Sequence, residues 1–507
     1  MTIDEDKSGN LADDRQGFAR RVFRSFVYSG LGNVLGKVIA LLSAIIGAAL
    51  VGVEAFGIAG IGLGVLAIVR ATTEAGLGVA LVQAKKASRS QFDSLFWASL
   101  LITGGGYLLV FFVVAPVFDA VYDDFEDIGT LIRGMCFSVA LYTFYFIPRA
   151  LMERDLHMGR LIVIDNVSHL IAAAALFAAI NADQGALSFI YFEVGLRGSQ
   201  AVLSMLVRPF IPRLRMNFAE IRDMFRFAMF ATGSRLLFNF YSNADFFVVG
   251  KLFGPWTLGV YHAAWRVISE PVRGLAMAMN QVAYPAFARL QDDLERLRTY
   301  FFTINRISMA VIGSVLATVT IFSAPLLTSV EDLIDPEYMG AVPLIWLFAP
   351  MGLLKTITPL VSQLLNAVGQ ARLSFLYSLT CAVVMPVLFV VGGLLYGVEG
   401  VALTWVFGYS LVLAVLYYFA ALVLDLPMIK LVKVLAGLRI ALPVFALQLG
   451  LFYLLAVALD VGHGLTAAIG MPLSLILSGL IVYGFERGNL AKLKPKKKSE
   501  PAQSEAD

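Results

Sequence analysis

The chain has 507 residues, 59% of them hydrophobic and 15% charged, with a formal net charge of +3. Soluble globular chains are about a quarter charged, so these values exclude a water-soluble globule. The two cysteines, Cys136 and Cys381, both lie in apolar blocks, which excludes a disulfide framework and a thiolate metal site.

Residues 1–24 are polar, without a short apolar core followed by a cleavage site, so the first membrane helix is expected to do the targeting. Apolar blocks then recur along the chain. Each is near the 20 or so residues that let a helix cross about 30 Å of hydrocarbon while satisfying its own backbone groups. They predict about fourteen helices: 26–51, 55–81, 92–117, 128–148, 161–180, 187–207, 225–249, 256–287, 300–327, 341–365, 373–395, 401–424, 435–459 and 465–485. The expected fold class is therefore all-α, a polytopic integral membrane protein. Its parts are a cytoplasmic segment, 1–24; an N-terminal lobe of helices 1–6, 25–222; a C-terminal lobe of helices 7–12, 223–426; a further helix pair, 427–487; and a basic tail, 488–507, expected to be disordered.

Orientation follows from the connections, because Lys and Arg are retained on the cytoplasmic side. Alternate connections carry Lys85, Lys86 and Arg89, then Arg149, Arg154 and Arg160, then Arg208, Arg213 and Arg222, with Arg289, Arg296, Arg298, Lys430 and Lys433 continuing the series. Others are acidic, with Asp119, Asp123, Asp124, Glu126 and Asp127 in one and Glu331, Asp332, Asp335 and Glu337 in another. Both ends are basic, which predicts an even number of crossings with both termini in the cytoplasm. A weak repeat is also visible: Phe56-Gly57-Ile58-Ala59 follows the first helix as Leu258-Gly259-Val260-Tyr261 follows the seventh. Such repeats mark many transporters.

Ionisable groups at membrane depth are costly and seldom face lipid, which makes each a functional candidate. Asn33 and Lys37 share a face of the first helix, and Lys37 is expected to line a cavity unless a neighbouring carboxylate neutralises it. Arg70 and Glu74 on the second helix, and Glu193 and Arg197 on the sixth, stand at i,i+4, a spacing that equally fits local ion pairs. Asp165 and His169 add polarity to the fifth. Arg235, Asn239 and Asn243 form a stripe on the seventh. His262, Arg266, Glu270 and Arg273 form one on the eighth, where Pro271 and Gly274 are read as an interruption. Tyr261 and Trp265 beside them fit either interface anchoring or stacking on sugar rings. Lys355, Thr358, Ser362 and Asn366 give the tenth helix a polar face. The set leans positive, and the planar fork of Arg suits phosphate, so an anionic, phosphate-bearing substrate is expected. There is no phosphate-cradling Gly-Lys-Ser/Thr loop and no HExxH. A transporter without catalytic residues, cofactor, metal or nucleic-acid partner is expected.

The stretches Gly76-Leu77-Gly78-Val79-Ala80-Leu81-Val82-Gln83, Arg149-Ala150-Leu151-Met152-Glu153-Arg154 and, above all, Asn243-Ala244-Asp245-Phe246-Phe247-Val248-Val249-Gly250-Lys251-Leu252-Phe253-Gly254-Pro255 carry a resemblance. With them, residues 22–485 resemble the polysaccharide (oligosaccharide-lipid) flippases of the multidrug/oligosaccharidyl-lipid/polysaccharide exporter superfamily. The resemblance implies two pseudo-symmetric six-helix lobes around a central cavity, with the last two helices as an extra pair. It implies translocation of undecaprenyl-pyrophosphate-linked oligosaccharide from the cytoplasmic to the periplasmic leaflet of a bacterial inner membrane, for surface polysaccharide synthesis. Polysaccharide polymerase, glycosyltransferases and membrane lipids would be its partners. On that picture Lys37, Arg70, Arg235, Asn239, Arg266, Arg273 and Lys355 are the candidates for substrate contact. Glu74, Glu193 and Glu270 are candidates for ion pairing or for a coupling proton. A cation-coupled multidrug exporter of the same superfamily is the alternative, which the basic excess disfavours. A membrane glycosyltransferase or ligase would need a sizeable loop, and the predicted connections are short.

Overall fold

The computed structural model describes residues 35–36, 38–73, 88–155, 157–214, 216–330 and 335–493, and among these the regular structure is helical, without strands. In chain order the helices are α1 (Val38–Val51), α2 (Val53–Thr73), α3 (Arg89–Val121), α4 (Ile128–Arg154), α5 (Met158–Asn181) and α6 (Ser188–Val207). They continue as α7 (Phe218–Leu290), α8 (Leu294–Thr328), α9 (Ala341–Ala367), α10 (Ala371–Val423), α11 (Leu438–Tyr453) and α12 (His463–Leu493). Among the described residues nine helical stretches are long and apolar enough to cross a membrane, and the chain is a multi-pass membrane protein. The polar stripes of α6 and α7 dilute their apolar sequence and keep both out of that set.

Local sequence explains several boundaries. At the start of α3 the Ser88 hydroxyl accepts from the Gln91 backbone N–H at 3.2 Å, and the Gln91 side chain accepts from the Ser88 N–H at 3.0 Å, a reciprocal cap that satisfies two orphan donors. Asp127, Asp183, Asp425 and Asp460 hold the left-handed backbone at four inter-helix turns, a conformation that Asp tolerates better than most side chains.

Two helices are too long for one crossing, and both reverse. In α7, Gly254 has φ 81° and ψ 176°. The Tyr261 hydroxyl donates to the Asp245 carboxylate at 2.9 Å across 16 residues, a separation of about 24 Å in a straight helix. The helix therefore has two arms, 218–253 and 255–290, and residues 255–262 turn back along the first arm. In α10 the non-helical residues are Tyr396 and Gly397. The Tyr377 hydroxyl meets that of Tyr409 at 3.2 Å across 32 residues, which in a straight helix would be about 48 Å. Pro271 and Gly274, expected to interrupt the helix, instead lie within the unbroken second arm of α7. The break belongs to Gly254, because only glycine takes its positive φ without a Cβ clash.

The short sequence repeat has a structural counterpart. Gly52, between α1 and α2, has φ 83°, matching Gly254 between the arms of α7. Five residues beyond each, Gly57 and Gly259 face each other's helices. A Cβ on Gly57 would overlap the Pro255 carbonyl oxygen, and one on Gly259 would overlap the Val53 carbonyl oxygen. The contact is reciprocal, as a local two-fold would make it, and the missing side chains let the two backbones touch.

The chain separates into two compact units. The first comprises residues 1–262 with 333–337 and 381–398. Here α3 and α4 share an apolar cluster of Phe92, Leu95, Phe96, Phe146 and Ile147 closed by Phe210, while α6 packs on α4 and α5. The connection after α6 is pinned to the start of α3: Arg89 donates to the Ile211 carbonyl at 2.7 Å and Trp97 to the Arg213 carbonyl at 2.8 Å. The second unit comprises 263–332, 338–380 and 399–507. Its centre is α8, against which α9, α11 and α12 pack. A buried polar cluster joins these helices. Gln448 donates to the Ser314 carbonyl at 3.1 Å, Thr318 at 2.9 Å and Ser478 at 2.6 Å, and Thr318 meets Ser474 at 2.9 Å. Arg306 adds an ion pair to buried Glu486 at 2.9 Å. In lipid, where burial of apolar surface does not drive helices together, such interhelical hydrogen bonds contribute roughly 0.6 kcal/mol each.

Candidate functional site

The described site residues fall into two groups, one in each unit. In the first unit Arg70 of α2 makes an ion pair and hydrogen bond with Glu193 of α6, whose side chain is 8% exposed. The local pairing that spacing allowed for Glu193 with Arg197 is thus replaced by a contact between helices. Arg197 instead donates to Gln200 at 3.2 Å and lies over the Tyr142 ring at 5.1 Å. A helix can present i,i+4 neighbours to each other or turn both outward, and packing of α6 against α4 and α5 decides. Lys37 and Glu74 lie outside the described residues.

Below this pair a second polar network joins α4, α5 and α6. The Asp165 carboxylate accepts from the Tyr145 hydroxyl at 2.7 Å and from Gln200 at 2.9 Å. Arg149 donates to Tyr145 at 3.1 Å and to Glu153 at 2.8 Å. The sequence places Arg149 in a cytoplasmic connection and gives Tyr145 no role, because a tyrosine inside an apolar block shows no partner in one dimension.

On the first arm of α7, Arg235 is exposed and Asn239 half-buried. The Asn239 amide donates to the Arg235 carbonyl at 2.9 Å, and Asn243 repeats this on Asn239 at 2.7 Å. The stripe is present, with its amides folded back on their own helix. Farther along, Asp245 is fully buried on Tyr261, and His262 stacks on Phe56 with centroids 4.5 Å apart. Both are packed among neighbouring helices. Tyr261 is 0% exposed and has no face left for a sugar. The α3–α4 turn docks beside them, where Tyr122 donates to the Phe247 carbonyl at 2.8 Å and Lys251 meets Asp123 at 3.4 Å. A backbone hydrogen bond, then Lys251, holds the Asp123 carboxyl below its ordinary value.

In the second unit Glu270 and Arg273 pair on one helix face. A single Arg273 nitrogen reaches both carboxylate oxygens, at 2.6 and 2.5 Å, with Arg273 67% exposed and Glu270 26%. Arg266, one turn before Glu270, is half-buried. Lys355 of α9 sits between two indoles, its ammonium 4.1 Å from the Trp265 ring and 3.7 Å from the Trp405 ring. The rings lie 5.2 Å apart, and Tyr409, against Trp405, donates to Thr358 at 2.9 Å. Indole faces attract an ammonium through their quadrupole. Trp265 thus contacts a lysine. Trp405, buried in an apolar stretch of α10, gave no signal in sequence. Among the described residues no three His, Cys, Asp or Glu side chains gather as a metal would need.

The fold is that of a helical membrane transporter. It matches the lipid II flippase MurJ, in an inward closed conformation, with a TM-score of 0.66 at 12% identity over 90% of this chain and 100% of that one. The chain belongs to the polysaccharide biosynthesis protein family, whose sequence pattern matches residues 46–334. It is 22% identical over 382 residues to the lipopolysaccharide biosynthesis protein WzxC of Escherichia coli (strain K12), covering 74% of this chain and 76% of WzxC. It is 24% identical over 302 residues to the teichuronic acid biosynthesis protein TuaB of Bacillus subtilis (strain 168), covering 59% of this chain and 62% of TuaB, less than two thirds of that protein. The resemblance to polysaccharide flippases read from residues 243–255 holds.

Proposed function

We propose that this protein is a flippase that carries oligosaccharide linked to undecaprenyl pyrophosphate from the cytoplasmic to the periplasmic leaflet of a bacterial inner membrane. What supports this reading is the set of cations carried by the helices of a transporter fold. Arg70 is set against Glu193, Arg266 is half-buried, Arg273 is paired with Glu270, and Lys355 rests on indole faces. A carboxylate partner keeps an arginine tolerable when the site is empty, and a phosphate can replace it because both present oxygens to the same fork. Arg273 is the clearest case, since its exposed side chain shares one nitrogen between two carboxylate oxygens.

In this reading the two reversing helices each cross twice, giving fourteen crossings with both termini in the cytoplasm. Residues 25–222 and 223–426 are the lobes that open alternately to the two sides, 427–487 the extra pair, and 488–507 a cytoplasmic tail. Lys37, Arg235 and Asn239 join the substrate path, and Glu74 is either a further ion-pair partner or a proton carrier. Polymerase and glycosyltransferases of the same polysaccharide are its working partners. The multidrug reading gains nothing from these residues, because a cationic drug would be repelled by Arg266 and Lys355.

The test is complementation in cells lacking the gene. Arg266→Ala and Lys355→Met are expected to insert at the wild-type level yet lose surface polysaccharide. Normal polysaccharide from both stably inserted variants would remove the two residues from the transport path.

A further inference from the structure

The ten residues Met428–Gly437 before α11 form a 3₁₀ helix, unusually long for a conformation in which residues three apart eclipse. That period sorts the side chains into three rows. Leu431, Val434 and Gly437 are buried against the protein, whereas Ile429, Val432 and Leu435 are exposed apolar groups, Ile429 at 77%. Lys430 and Lys433 form the third row, both exposed. Between Asp425 and Asp460 the sequence holds three cations, Lys430, Lys433 and Arg439, and no carboxylate.

The segment stands at the end of a membrane crossing. Helix α11 with its π turn has 16 and 5 residues, which at 1.5 Å each is roughly 30 Å and spans the hydrocarbon unaided. The segment before it is left at the boundary with the headgroups. It is firmly seated there. A Cβ on Gly437 would press on the Arg306 carbonyl and the Met309 side chain of α8, and Arg298 donates to the carbonyls of Leu424 and Asp425 at 2.7 and 2.6 Å. Beside it lies a mostly apolar pocket of about 530 Å³, walled by Leu354 and Ile357 of α9, Leu413 and Ala414 of α10 with Ser410 and Tyr417 of the same helix, and the apolar rows of the segment.

We infer that this segment and its pocket bind an anionic glycerophospholipid of the surrounding leaflet, with one acyl chain in the pocket and the headgroup phosphate on Lys430 and Lys433. The apolar wall accepts hydrocarbon, the lysine row is complementary to a phosphate at the height where phosphates lie, and no acidic side chain in that stretch of sequence opposes it. The site lies within one compact unit and depends on neither the sugar nor the carrier named above. Lipid bound there would fix the depth of α11 and the 3₁₀ segment in the leaflet.

The test uses the full-length protein, delipidated in detergent and returned to nanodiscs containing equal amounts of phosphatidylglycerol and phosphatidylcholine. Lipid that stays bound is then counted by native mass spectrometry. Wild type is expected to retain phosphatidylglycerol over phosphatidylcholine on the order of thirtyfold, the size of effect two lysines give at a charged interface. Lys430→Gln/Lys433→Gln is expected to erase the preference, Lys430→Arg/Lys433→Arg to keep it, and Ala414→Trp, filling the pocket, to reduce retention of both lipids. An unchanged preference in the Gln variant, unchanged retention in the Trp variant, or, in protein purified from cell membranes without delipidation, a polyprenyl phosphate retained instead of phospholipid would overturn the assignment.

Discussion

Arg70 and Glu193 show how a charge is kept inside a membrane protein. Each lies on its own helix, and together they place a closed ion pair between α2 and α6. Removing one partner of a buried pair leaves an uncompensated charge, which costs about 3 kcal/mol or somewhat more. Arg70→Leu is therefore expected to lower the melting temperature of the detergent-purified protein, and Arg70→Leu/Glu193→Leu to recover most of the loss. Equal melting temperatures for wild type and the single variant would mean that the pair contributes nothing. Spacing alone made the i,i+4 alternative equally good, because sequence reports which residues share a face and not which helix that face meets. Lys355 was legible as a deep cation, yet its indole neighbours were not. Trp405 comes from a helix far along the chain, and an aromatic in an apolar run looks like any core residue.

Among the elements, the reversals of α7 and α10 carry the fold, and both fall in connections predicted from hydropathy, 250–255 and 396–400. The expected interruption at Pro271 and Gly274 was misplaced because a proline inside a membrane helix is accommodated by its neighbours, whereas a positive φ ends helical geometry outright. The reciprocal contact of Gly57 and Gly259 was visible in sequence only as a faint repeat. Its meaning, two backbones touching, needed coordinates. Gly259→Val must push α2 and α7 apart at the Val53 carbonyl, so the variant is expected to lose thermal stability by more than Gly254→Ala, whose strain at positive φ and extended ψ is roughly 1–3 kcal/mol. Paired melting curves would decide, and a milder effect at Gly259 would contradict the close contact. The polar cluster around Gln448 makes a similar claim for α11. Gln448→Leu strips its hydrogen bonds to α8 and α12 and is expected to destabilise by about 1–2 kcal/mol.

At the scale of the whole molecule, an all-helical membrane class was legible from the apolar blocks, and the polysaccharide biosynthesis family from a few short stretches. The division into two compact units was not: its edges fall at His262, inside the second arm of α7, and within α10. Contacts made across the chain set them, and hydropathy does not mark them. We propose that these helices move a lipid-linked oligosaccharide between leaflets. The most direct measurement is a leaflet-resolved assay of lipid-linked glycan in cells with and without the protein, complemented by wild type and by Arg266→Ala. Accumulation in the cytoplasmic leaflet without the protein, relieved by wild type and not by a stably inserted Arg266→Ala, is the predicted result. A glycan distribution that does not change when the protein is removed, in cells with no second flippase, would contradict it.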